Sequence, residues 1–302
     1  MALKSRICEI LGIEYPILLA GMGGASVPAL AAAVSNAGGL GVLGAAACSA
    51  DQLRRWIRQT REMTDKPFGV DTLLPASVRR GSAPQSGGAP DNPMALLGEY
   101  QQFTRDFMER ENLPAIDIEM AMRTAGAPEM GKGGPQLFSR EFFEAQMEVI
   151  IEEKVPVYAA GLGNPEPWMD RLHANGTKVM AVIGKVKHAR QVVDSGIDMI
   201  VAQGHDGGGH NSPIGTLSLI PQVVDAVGDR VPVIGAGGIS DGRGVAAAMM
   251  LGAEGAWIGT AFLATDEAGI EQFQKEAITE SGDADTVVSR SLTGKPARMI
   301  RN

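Results

Sequence analysis

The sequence predicts a parallel (β/α)8 TIM barrel with a helical and loop segment inserted after the third strand. Three observations carry that prediction. Eight short apolar runs alternate with stretches of helical length. The runs are continuously apolar rather than alternating, as strands covered on both faces are. Glycine-rich loops directly follow several runs, at the end where barrels bind their ligands. No G-x-G-x-x-G stretch opens an early βαβ unit, which argues against an open dinucleotide-binding sheet.

Tyr15 to Ala20 is the first strand, and it ends in Gly21-Met22-Gly23-Gly24. Ser26 is placed to cap the next helix, near Val27 to Ala37, with Pro28 in its first turn and Gly38-Gly39 at its end. Leu40 to Leu43 is the second strand. Ser49 or Asp51 caps an amphipathic helix carrying Leu53, Trp56 and Ile57, and Lys66 to Leu74 holds the third strand. The uncharged run Ile17 to Ala47 is long enough for a membrane span. Its Gly, Pro and Asn punctuation favours buried strand, helix and strand.

The rhythm breaks over residues 75–140, read as an insertion. Arg79 to Pro93 is rich in Gly, Pro and Ser, Met94 to Asn112 has helical spacing, and Thr124 to Pro135 is again Gly/Pro-rich. A lid, a homodimer contact and a substrate-binding surface are the roles open to it. Residues 1–74 and 141–302 then form the two parts of one barrel.

After the insertion the expected order is helix Phe142–Glu153, strand Val155–Ala160, helix Pro165–Asn175 and strand Lys178–Ile183. Helix Val186–Ser195, strand Asp198–Gln203, helix Leu217–Val227 and strand Val231–Ile234 follow. Helix Asp241–Leu251, strand Gly255–Ile258 and a helix near Glu271 to Ile278 complete the pattern. No strand is assigned to the tail, 285–302.

The 302 residues are 44% hydrophobic and 21% charged, a balance that can fill a core of this size. A net charge of −8 argues against nucleic acid as a partner. Cys8 and Cys48 are too few for a disulfide framework and are read as structural thiols in a reducing cytoplasm. No signal peptide is visible, and no membrane partner is expected.

The chemistry concentrates in Gln203-Gly-His-Asp-Gly-Gly-Gly-His210, the loop after the sixth strand. Such loops let backbone N–H groups approach a ligand. Gly235-Ala-Gly-Gly-Ile239 and Gly259-Thr260 follow the seventh and eighth strands, where barrels commonly hold a phosphate. Tight strand-to-helix turns are the alternative; the position of both loops favours phosphate. His210 has the residue type and exposure of a general base, against a loop histidine bonded to a neighbour. His205 is a weaker candidate, and His173 and His188 are expected on solvated helix faces. His205, Asp206 and His210 are a poor metal set without a cysteine nearby, and no metal site is assigned. Asp71 is expected at the barrel mouth as a ligand contact or a partner for a buried donor. Gln203 can meet a ring with mixed polar edges, and Met22 can pack on a flat ligand or in the core. No Ser-His-Asp arrangement or G-x-S-x-G elbow is present.

These motifs together resemble the nitronate monooxygenase (2-nitropropane dioxygenase) family. The matching stretches are Tyr15 to Ser26, Ala33 to Gly41, Phe68-Gly-Val-Asp71, Ala202 to His210, Gly235 to Ile239, Gly259-Thr260 and Ser291 to Arg298. The resemblance implies an FMN-dependent TIM-barrel oxidoreductase. On it, Ala20, Gly21 and Met22 would line the flavin ring, and Asp71 and Gln203 would contact its polar edge. Gly208, Gly209, Gly237, Gly238, Gly259 and Thr260 would surround the phosphate, and His210 would assist proton removal or hold the substrate anion. The small-molecule substrate would be an alkyl nitronate oxidised with dioxygen. The alternative is NAD(P)H-dependent reduction of an enoyl- or acyl-CoA or a quinone, with basic residues of the insertion such as Arg110 meeting CoA phosphates. The chain departs from the family in Asp206 and Gly207, where Glu and Ala are usual. Gly21, where many members have Pro, implies a softer opening loop.

Overall fold

The computed structural model describes residues 4–74, 102–103, 106–111, 139–291 and 294–301. Eight parallel strands run in the order β1-β9-β8-β6-β5-β4-β3-β2. They are β1 (Ile17–Leu19), β2 (Gly41–Gly44), β3 (Phe68–Leu73), β4 (Val157–Leu162), β5 (Lys178–Ile183), β6 (Met199–Gln203), β8 (Val233–Ala236) and β9 (Gly255–Ile258). β1 lies against β9 in the register Ile17↔Ala256, Leu18↔Trp257, Leu19↔Ile258. β2 meets β1 through the single bridge Leu18↔Leu40. Leu40 N–H donates to Ile17 O at 3.0 Å and Leu19 N–H to Leu40 O at 2.9 Å, closing the cylinder.

Strand alternation sorts the side chains into two cores. Inward positions, including Leu18, Val42, Met180, Val201, Ile234 and Trp257, fill the barrel. Outward positions such as Leu43, Val70, Tyr158, Ile200 and Val233 pack under the helices. The unpredicted helix α1 (Arg6–Leu11) places Ile7, Cys8 and Leu11 against the inner core, so it plugs the barrel floor. Its Ser5 hydroxyl donates to Glu254 O at 2.5 Å and Arg6 pairs with Glu254, tying the plug to the start of β9.

Ile17 to Ala47 is strand, helix and strand, as expected: β1, α2 (Pro28–Asn36) and β2. Among the described residues no helix is long and apolar enough to cross a membrane. Ser49 caps α3 (Ala50–Met63) by accepting from Gln52 N–H. Ser139 caps α4 (Arg140–Glu152) in the same way, through Phe142 N–H. Arg54, Arg58 and Arg61 of α3 converge on Glu153 at the end of α4, each 2.9 Å away, locking the helices together. Helices α5 (Met169–Ala174), α6 (Val186–Val193), α7 (Thr216–Val227) and α8 (Gly242–Met250) cover the later strands.

Several boundaries differ from the sequence reading. β4 begins two residues later than expected and ends at Leu162, while β8 extends to Ala236. Pro156 and Pro232, which lack an amide donor, precede both strands. The expected helix 165–175 is a 3₁₀ turn, Glu166–Trp168, followed by α5. Most of the expected insertion, 75–140, lies outside the described residues. Of its expected helix, residues 102–103 and 106–110 are helical, with the Phe103 and Phe107 rings stacked at 6.4 Å. Arg110 pairs with Glu111 and lies over Phe107.

The tail, which the sequence reading leaves unassigned, carries two strands. After α9 (Thr260–Leu263) and α10 (Gln272–Glu280), β10 (Thr286–Ser289) and β11 (Ala297–Ile300) pair antiparallel. β11 then pairs with β7 (Gly209–His210), a two-residue strand within the glycine loop.

Candidate active site

The barrel mouth is shaped by side-chain size. Two residues beyond the large inward residues Leu18, Met180, Val201 and Trp257 come Ala20, Val182, Gln203 and Gly259. On β2, β3 and β4 the same level is Gly44, Asp71 and Gly161. Ala20, Gly44, Gly161 and Gly259 are small, so the floor of the mouth at the C-terminal ends of the strands is lined largely by backbone, with Val182, Gln203 and Asp71 among them.

Asp71 is the carboxylate on that floor, and it is buried. Burial holds its carboxyl well above the usual range, opposed by a hydrogen bond from the Gly161 amide. A Cβ at Gly21 would lie 2.2 Å from Asp71 Cβ, and one at Gly161 would lie 2.5 Å from Asp71 Oδ1. Asp71 is therefore wedged between the opening loop and β4. The expected softness at Gly21 is corrected: the contact with Asp71 fixes this glycine.

The expected helix cap at Ser26 is also corrected. Val27 is the N-cap of α2, with no side-chain bond. Ser26 is fully buried; its Oγ donates to Ala20 O at 2.8 Å and accepts from Met22 N–H at 3.1 Å. It staples Ala20-Gly21-Met22 into one conformation. The Met22 side chain packs with Leu19 and Leu30 beside the barrel, so it serves the core.

On the opposite side of the mouth, the loops after β6, β8 and β9 approach closely. A Cβ on Gly208 would lie 2.8 Å from Thr260 Oγ1, and one on Gly237 would lie 2.6 Å from Thr216 Oγ1. Gly237 and Gly238 have φ of 103° and 73°, a region that L side chains rarely enter. The N–H groups of Gly208, Gly237, Gly238 and Thr260 make no backbone hydrogen bond among the described residues. Exposed amides around a concavity that any Cβ would fill suit a bound phosphate. The helix ends contribute less than expected. Asp241 caps α8 by accepting from Arg243 and Gly244 N–H, and Asp206 accepts from Thr216 N–H at 2.7 Å at the start of α7. Arg243 pulls the Asp241 carboxyl down to about 2, and the Thr216 amide lowers that of Asp206.

His210 is exposed at the mouth. Its carbonyl accepts from Gln203 Nε2 at 2.8 Å, so the floor residue holds the histidine's backbone. His205 is structural. Its Nδ1 lies 2.9 Å from Ser212 O, and its N–H donates to Ile214 O. With its ring held there and Asp206 bound to Thr216, the two do not converge with His210. His173 pairs with Asp198 at 3.0 Å, away from the mouth. His188 is exposed on α6, as expected, and also lines a cavity of about 990 Å³. That cavity opens over β4, β5 and β6 and shares Gly161, Val182, Gln203 and His210 with the mouth. Lys185, Lys295 and Pro296 also face it, so the tail reaches the site, which the sequence reading missed.

Small and polar residues at the strand ends, amides around a glycine-lined concavity and a histidine beside a cavity of about 990 Å³ come together at one mouth. The pattern of one protein family, described as nitronate monooxygenase, matches residues 4–302. The chain belongs to the nitronate monooxygenase family. It is accordingly an oxidoreductase. A probable nitronate monooxygenase of Staphylococcus saprophyticus is 36% identical over 314 residues, covering 100% of this chain and 80% of the relative. A nitroalkane oxidase from Streptomyces ansochromogenes is similar at TM-score 0.76 and 33% identity, over 99% of this chain and 79% of that one. FabK from Thermotoga maritima is similar at TM-score 0.73 and 36% identity, over 99% and 75%. The barrel expected from the sequence is thus the fold of this nitronate monooxygenase family member.

Proposed function

We propose that the protein is an FMN-dependent nitronate monooxygenase that oxidises alkyl nitronates with dioxygen to a carbonyl compound and nitrite. The observation that carries this reading is the opposition of two features across one mouth. The amide-lined concavity at Gly208, Gly237, Gly238, Gly259 and Thr260 fits the phosphate, and Ala20, Gly21 and Met22 offer backbone to the ring. Bound FMN supplies a two-electron acceptor that dioxygen can reoxidise. Asp71 and Gln203 would meet the ring's polar edge, and burial, which raises the Asp71 carboxyl, favours the protonated form that can donate there. Gly209 gives the loop the positive φ that turns it toward His210. His210, anchored through Gln203, would hold the nitronate oxygens, or, with a neutral nitroalkane, take the proton from the carbon bearing the nitro group. We assign residues 75–140 the role of a lid or substrate-binding segment, and the protein to the cytoplasm.

A second reading is NAD(P)H-dependent reduction of an enoyl- or acyl-CoA or a quinone. It is favoured by the cavity of about 990 Å³, which is large for a small nitronate, and by Lys185, His188 and Lys295 on its wall. Anaerobic stopped-flow absorbance separates the two. Rapid bleaching of the yellow protein by propyl nitronate alone is expected, and bleaching by NADH or NADPH alone would establish the second reading. His210→Ala is expected to keep its flavin and lose turnover, because the glycine backbone that holds the phosphate is unchanged. Full activity in that variant would remove His210 from the mechanism.

A further inference from the structure

The loop bearing His210 is attached to two separate parts of the molecule. On the barrel side, Gln203 Nε2 holds the His210 carbonyl and Asp206 binds the start of α7. On the other side is strand β11, in the register Ala297↔His210 and Arg298↔Gly209. Asn211 N–H donates to Pro296 O at 3.1 Å, continuing that junction by one residue.

Arg298 crosses the junction with its side chain. Its Nη1 donates to Thr286 Oγ1 at 3.1 Å on β10, and its Nη2 donates to His205 O at 3.4 Å. Asn211 Nδ2 donates to the same His205 carbonyl at 3.1 Å. The Arg298 charge also helps to hold down the Asp206 carboxyl. Among the described residues, Arg298 Nε and Asn211 Oδ1 are buried with no partner, a donor and an acceptor at this same crossing. A planar fork of donors can grip two chain segments at once.

We propose that Arg298 is a positioning residue for the reaction: from the C-terminal hairpin it fixes the loop that presents His210 to the cavity. The link to turnover rests on the function proposed above; the link to loop geometry does not. The hairpin thereby belongs to the active site, supplying Lys295 and Pro296 to the cavity wall and the restraint on the histidine behind it. Arg298 itself touches no reacting atom.

The test compares Arg298→Ala and Arg298→Lys with the parent in the full-length, flavin-loaded protein. Hydrogen exchange by mass spectrometry over residues 204–212 is read beside steady-state kinetics with propyl nitronate. Arg298→Ala is expected to retain bound flavin and to speed exchange in 204–212 by at least about tenfold, with β4 and β5 unchanged. Its kcat is expected to fall about 10- to 100-fold while KM stays within about threefold, as misplacement of a reacting group does. Lys at 298 recovers part of both losses, since it replaces the charge and one donor. Unchanged exchange in 204–212, equal acceleration throughout the barrel, or an unaltered kcat in Arg298→Ala would each overturn the proposal. If the parent protein itself does not turn over the nitronate, the activity reading falls, and the exchange comparison alone decides the role of Arg298.

Discussion

Asp71 shows how a single buried carboxyl constrains its surroundings. Its backbone neighbours are glycines because nothing larger fits: Gly21 on the opening loop and Gly161 on β4. Gly21→Ala is therefore expected to destabilise the protein by about 1–3 kcal/mol in urea unfolding, an overpacking cost. Adding Asp71→Gly should relieve part of that cost, since the colliding atom is Asp71 Cβ; strict additivity in the double variant would show that the two do not touch. The carboxyl titrates above its unfolded range. Its contribution to stability is thus full below the unfolded value near 4 and is lost as pH rises through the folded value. Relative to wild type, Asp71→Asn should gain stability progressively above about pH 4, measured as the difference in Tm across pH. The sequence placed Asp71, Gln203 and His210 at the mouth because each lies at or just beyond an apolar run. It could not show that Ser26 staples the loop instead of capping α2. A serine before a helix has both options, and only the nearness of Ala20 O and Met22 N–H decides between them.

At the level of elements, strong local signals were legible. Ser49 and its amphipathic helix form a capped α3 as read, and Ser49→Ala should lower stability by about 1 kcal/mol in thermal unfolding. A wild-type Tm in that variant would mean that the helix is held by tertiary contacts alone. Elements shaped by distant partners were not legible. The helix α1 is only six residues long, too short for a periodic signal, and it is formed by packing into the barrel. β10 and β11 lie in a polar tail without a continuous apolar run, and β7 is two glycine-loop residues that become a strand only because β11 is there. The sequence motif Ser291 to Arg298 flagged that segment without revealing its place.

In the whole molecule, stability and chemistry occupy opposite ends. α1 closes the N-terminal end of the barrel, Trp257 and its aliphatic neighbours fill the middle, and the candidate site residues lie at the mouth. Ile7→Ala, at the sealed end, is expected to cost about 2–5 kcal/mol of stability. Flavin affinity, followed by fluorescence titration, should stay the same; a large loss would mean that the plug communicates with the mouth.

The pairing of β1 with β9 has a consequence for the chain as it is synthesised. β1 is made before its main partner, and residues 20–254 separate the two in the chain. Until residues 255–258 emerge, the strand pairing of β1 rests on the bridge at Leu40, with Leu19 packed on Leu30 and Val34 of α2. Ile17-Leu18-Leu19 must then keep one apolar edge open while residues 20–254 are made, the kind of exposure that chaperones recognise.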